Sequence, residues 1–284
     1  MVNCVGNLQK IYLKTIFWLR FVLVRMKKIA LLLGIVGILT ACDPPKRVEQ
    51  SGSFAIELEH IFGNTPLKIG NSYTNSSNET FTLTTFDYFL SNFVLERQDG
   101  SLYVVPQEES YFLIKLSEGS KPLLTFRNIP IGEYKSISFL VGVDSLRNTM
   151  EPARRTGDLD VGGRAEGMYW NWNTGYIFLK MEGTSNVVPD AQDNRFYFHI
   201  GGYGGYSTPT INNLRKITIN FSQENLKIAS GKSAMLHLKV DASKIFSTPN
   251  TISLASNPNV MFSPFSVNIA NNYANMFSLD FVHN

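Results

Sequence analysis

The feature that most constrains this chain is a series of short apolar runs whose side chains alternate, separated by turn-forming residues. Phe54, Ile56, Leu58, His60 and Phe62 fall on one side of an extended segment, and Glu57 and Glu59 fall on the other. A helix, with its period of 3.6, would scatter those positions around its circumference. Further runs rich in β-branched and aromatic residues cover 81–95, 111–116, 134–143, 176–181, 195–200, 214–221 and 234–240. Gly, Asn, Pro and Asp clusters divide them, and Gln98-Asp99-Gly100-Ser101 supplies a hairpin turn between Leu95 and Leu102. With no long amphipathic helical run, the pattern predicts an all-β chain: a single antiparallel β-sandwich or barrel-like domain with long loops. Only 147–167 is long and without strand character. Such loops are usually functional or mobile, so it is expected to act as a flap over a site.

The beginning of the chain has a different character. Met26-Lys27-Lys28 precedes the apolar run Ile29 to Ile38, which ends in Leu39-Thr40-Ala41-Cys42. A charged start, a short apolar core and small residues at a cleavage point form a secretory signal, and the final four residues form a lipobox. The expectation is a signal peptide over 26–41, lipid on Cys42, a polar proline-bearing tether over 42–52 and a β domain over 53–284. Residues 1–25 carry their own apolar, basic run and are expected to be a mis-assigned start ahead of Met26. That places the protein in the cell envelope, lipid-anchored on the periplasmic or surface face of the outer membrane. Cys42 is the only cysteine beyond this extension, so the mature domain is expected to hold no disulfide. The formal net charge is +3, with several basic residues in the leader, and gives no nucleic-acid footprint.

The sequence offers no Gly-rich phosphate loop, no defensible Ser-His-Asp spacing, no His-Glu-x-x-His helix and no cysteine pair. The expectation is a protein that is not an enzyme. What stands out is Gly167-Met168-Tyr169-Trp170-Asn171-Trp172-Asn173-Thr174-Gly175-Tyr176. On a strand Trp170 and Trp172 project to the same side, either as a core ladder or sugar-stacking platform, or as indoles beside a redox or metal site. The spacing alone leaves both open. Four histidines accompany them. His60 shares a face with apolar residues, so its imidazole should point inward, where it needs a partner. His199 ends a strand beside Gly201-Gly202, which leave room for close approach. His237 is read as outward and structural, and His283 lies near the terminus of a final apolar run expected to dock. Two neutral imidazoles brought together suit copper, with Met150 and Met168 as nearby thioethers, while zinc would fit with a carboxylate such as Asp144.

The stretches Val141 to Asn148, Gly157 to Asp160 and Gly167 to Gly183 together resemble the MbnP-like family. These are periplasmic or surface copper-binding proteins, named from a partner of methanobactin operons and common as lipoproteins in Bacteroidetes-type bacteria. Glu59-His60, Tyr88 to Asn92, His199 to Gly202 and Asn271 to His283 are similar to its other landmarks. The resemblance implies copper held by histidines with a tryptophan oxidised to kynurenine by a di-haem enzyme of the cytochrome c peroxidase type. Carried over, the histidines are His60 and His199, with His283 a third candidate, and the modified residue is Trp170 or Trp172. The implied role is copper acquisition, storage or delivery. A competing expectation is an adhesion or glycan-binding lipoprotein that uses Trp170, Trp172 and the tyrosines of 201–206 as an aromatic platform.

Overall fold

The computed structural model of the protein describes residues 50–119, 121–170, 175–221 and 224–284. The expected 1–25 extension, signal peptide, Cys42 and all but the end of the tether lie outside the described residues, as does Trp172. Strands dominate the chain from Ser51 onward. The first half holds β1 (Ser51–Phe62), β2 (Thr65–Pro66), β3 (Ser72–Thr74), β4 (Thr80–Arg97), β5 (Leu102–Val104), β6 (Tyr111–Lys115), β7 (Leu123–Pro130) and β8 (Gly132–Val141). After them come β9 (Tyr169–Trp170), β10 (Gly175–Thr184), β11 (Arg195–Gly201), β12 (Arg215–Asn220), β13 (Leu226–Ile228), β14 (Ser233–Asp241), β15 (Asn259–Val260) and β16 (Phe277–His283). Besides single 3-10 turns, the described residues form three short α-helices: α1 (Ser145–Asn148), α2 (Lys244–Ser247) and α3 (Ser266–Tyr273).

The strands form two sheets. The smaller runs β16-β14-β1-β2, with β7 also paired to β1, and the larger runs β12-β8-β4-β10-β11-β15, with β3, β5, β6, β9 and β13 attached. The alternation read in 54–62 is the alternation observed: Phe54, Ile56, Leu58, His60 and Phe62 are buried and the residues between them are not. Ser51 and Gly52 already pair with Pro130 and Ile129, so β1 begins two residues before the expected domain boundary. The two sheets bear out the all-β, sandwich-like expectation and most neighbouring strands are antiparallel, but two pairings are parallel. β1 lies parallel to β14 from Ser53↔Ser233 to Ile61↔Asp241, and β11 lies parallel to β15. Alternation specifies which face of a strand is buried, and it carries no information on the direction of the neighbour.

The main core lies between the sheets. Phe54, Ile56 and Leu58 from one meet Phe86, Tyr88, Leu90 and Leu179 from the other, with Ile245, Phe246, Ile269 and Tyr273 of the helices packed alongside. Burial of one such side chain stabilises by about 1.5–3 kcal/mol, which makes this cluster the principal source of stability. A second, smaller cluster sits on the opposite face of the large sheet. There Phe89, Val143, Leu159, Met168, Trp170, Tyr176 and Phe178 are buried by the segment running from α1 to β9. The expected flap is therefore a packed cover. It is pinned by Asn148, fully buried, whose Oδ1 accepts from Tyr176 N at 2.8 Å, and by Asp158, whose Oδ2 accepts from Leu113 N at 2.8 Å.

Candidate functional site

Strand alternation decides where each candidate histidine points. Tyr88, Leu179 and Ile200 are cross-strand neighbours on β4, β10 and β11, and all three belong to the main core. Asp87, Lys180 and His199, one position away on the same strands, therefore project to the outer face that carries the second cluster. His60 comes from the other sheet and meets the inner face. It is 1 % exposed, its Nε2 is hydrogen-bonded to Tyr88 Oη at 2.8 Å, and its ring meets Phe86 edge-on. Burial pushes the Tyr88 phenol well above its ordinary range and keeps it protonated.

His60 and His199 thus lie on opposite sides of the large sheet. The expected convergence of these two imidazoles on one ion is corrected by this geometry, because a half-buried sheet sends successive side chains to opposite faces. His283 belongs to neither place: it is exposed at the end of β16, opposite Met235 of β14. His237 is outward as expected, stacked on Phe281 with ring centroids 4.0 Å apart and its Nδ1 3.2 Å from Glu57 Oε1. Among the described residues, no three His, Cys, Asp or Glu side chains come together in a way that could hold a metal ion.

His199 and Trp170 do share a face of the large sheet. Trp170 pairs with Gly175 at the start of β10 and lies buried in the second cluster. Its ring packs over Gly201, where an added Cβ would come 2.7 Å from the indole Cζ3. Gly201 is two residues beyond His199 on β11 and faces the same side, so their Cα atoms are about 7 Å apart along the strand. His199 Nε2 is hydrogen-bonded to Glu182 Oε1 at 2.7 Å, with both side chains partly exposed. That hydrogen bond, opposed by partial burial and assisted by Lys180, holds the Glu182 carboxyl down at about 2. An imidazole nitrogen and an ionised carboxylate are two donors acceptable to copper. The indole contributes none while intact, since its N–H is only a donor.

Beyond Gly201 the same tryptophan borders a cleft of about 120 Å³, lined by Gly202, Tyr203, Tyr206, Thr208, Thr210 and Phe262 among others. The tryptophan edge was legible from the sequence. Phe262 was not, because it arrives from a distant loop without a strand or helix pattern of its own.

These features define a two-sheeted β protein that carries, on the outer face of its larger sheet, both a tryptophan-bearing aromatic cluster and a histidine–carboxylate pair. The family model MbnP matches residues 51–262, and the chain belongs to the MbnP family. The solved structure of MbnP from Methylosinus trichosporium is similar over 77% of this chain and 87% of that one, with a TM-score of 0.50 and 16% sequence identity. At that identity the likeness concerns the fold. A comparison with curated proteins finds no match.

Proposed function

We propose that this protein is an envelope-anchored lipoprotein that handles copper, by acquisition, storage or delivery and without catalysing a reaction, and that its site is the His199–Trp170 face. Membership of the MbnP family supports the copper role. The observation that carries the location is the placement of Trp170 over Gly201, beside His199 and its partner Glu182. The residues fit copper incompletely as they stand, with one imidazole and one carboxylate. Oxidative opening of the Trp170 indole to kynurenine, with peroxide as oxidant and the ring C2 leaving as formate, would add an arylamine and carbonyl lone pairs that the indole lacks. A di-haem enzyme of the cytochrome c peroxidase type is the proposed agent of that change.

Metal analysis and peptide mass spectrometry on protein purified from its native host test this reading. Stoichiometric copper is expected with an oxidised Trp170, both absent in His199→Ala and Trp170→Phe, whereas His60→Ala should keep copper in its folded fraction. Host-derived protein with intact Trp170 and no copper would remove the proposal. The second reading, a glycan-binding lipoprotein, is favoured by the aromatic cleft of Trp170, Tyr203, Tyr206 and Phe262 with its threonine hydroxyls. It predicts saturable quenching of tryptophan fluorescence by oligosaccharides, lost in Tyr203→Ala.

A further inference from the structure

A second cavity, of about 220 Å³, opens at α1 and the segment that follows it, lined by Glu108, Tyr111, Arg147, Met150, Arg154, Arg155, Thr156 and Leu159 among others. Three guanidinium groups at one small cavity call for a count of their partners. Arg147 donates to the Glu108 carboxylate at 2.5 Å and to the Met150 sulfur, a weak acceptor, at 3.3 Å. Glu108 is 81 % exposed, so this is a screened pair from which the carboxylate is readily displaced. Asp158 is occupied by Arg164 and by the Leu113 amide.

Arg155 is the informative residue. It is 5 % exposed, and its partners are neutral: the carbonyls of Asn148 and Met150, and the ring faces of Tyr169 and Tyr176 at 4.6 and 5.2 Å. Arg155 Nη1 and Arg147 Nε are buried without a hydrogen-bond partner among the described residues. A guanidinium cannot shed its proton to escape burial, so its charge must be balanced by its surroundings. Neither Arg154 nor Arg155 has a carboxylate partner among the described residues. The cavity beside them far exceeds the roughly 30 Å³ that a water molecule occupies. Leu159, Met150 and the Tyr111 ring contribute apolar lining.

We propose that this cavity binds a small organic carboxylate, its oxygens received by Arg154 and by Arg147 in place of Glu108, with the buried charge of Arg155 behind them and its carbon skeleton lying against Leu159, Met150 and Tyr111. Glu108 occupies Arg147 in the ligand-free state and competes for the same charge. The cavity shares no lining residue with the cleft beside Trp170, and binding there does not depend on copper.

Titration calorimetry of the full chain with succinate, and separately with inorganic phosphate, at constant ionic strength tests the assignment. Succinate is expected to bind saturably. Arg154→Ala should weaken it about tenfold and Glu108→Gln should tighten it several-fold, as expected for one charge-assisted hydrogen bond lost or freed. Both substitutions alter exposed side chains, so they keep the test open even if an Arg155 variant fails to fold. No saturable binding of succinate, or tighter binding of phosphate, overturns the carboxylate assignment. Unchanged succinate affinity in both variants overturns the assignment to this cavity.

Discussion

At Gly201 the backbone of β11 comes so close to its surroundings that a methyl group would sit 2.5 Å from the Tyr176 carbonyl oxygen as well as against the Trp170 ring. The ring can shift only by unpacking the second cluster, and the carbonyl belongs to a paired strand. Gly201→Ala is therefore expected to destabilise by about 1–3 kcal/mol, the usual cost of overpacking. Near-ultraviolet circular dichroism should report a displaced Trp170, and a thermal melt should show the loss; an unchanged aromatic spectrum would contradict the packing. Asp87 offers a test of the outer face through pH. Burial raises its carboxyl from 3.8 to about 6, against the pull of Lys115 and Lys180. The folded state then holds the proton more tightly than the unfolded one. Stability from this group is full below the unfolded value of 3.8 and is lost as pH rises through about 6. Asp87→Asn should thus be more stable than the parent at neutral pH, by on the order of 2 kcal/mol, with the difference gone below about pH 4. Chemical denaturation at several pH values measures it.

At the level of elements, Glu79 shows how a loop with no regular structure is held. Its carboxylate accepts from Leu254 N at 2.6 Å, Ala255 N at 3.0 Å, Ser253 Oγ and Asn75 Nδ2. Burial acts to raise its pKa, and these hydrogen bonds together hold it below the usual range. Glu79→Gln should loosen 253–255 at a cost of about 1–3 kcal/mol, visible as faster amide exchange there than in β4. Equal exchange in both proteins would show that the carboxylate does not clamp the loop. No sequence pattern announces such a clamp, whereas β1, β4, β8, β10, β11 and β14 lie where apolar alternation or dense β-branched and aromatic runs place them. β7, which ends at Pro130, and the short β3 offer too few alternating positions to stand out, whereas β5 follows the hairpin turn read at 98–101. The same limit applies to the site. The glycines after His199 signalled close approach, and Trp170 uses that room. The opposite orientation of His60 depends on which sheet β1 joins, a long-range fact that local pattern does not encode. Arg155 reads in sequence as one more surface charge, and only its enclosure by Tyr169 and Tyr176 reveals otherwise.

For the molecule as a whole, the anchoring proposal rests on Cys42, and Cys42→Ala is expected to release the protein from the membrane fraction and remove a diacylated N-terminus from its intact mass. Continued membrane association of that variant would end the proposal. A different consequence follows from the parallel seam between β1 and β14. The first strand of the domain pairs from Ser53 to Ile61 with residues from Ser233 onward, and β14 in turn is completed by β16. A nascent chain that stops short of residue 233 offers β1 no partner along that edge, so the small sheet cannot close until almost the entire polypeptide has been made. Such high contact order places folding in the millisecond-to-second range, slow beside local hairpin formation. The interval is expected to leave the polypeptide open and threadable after synthesis, the condition that the proposed export demands.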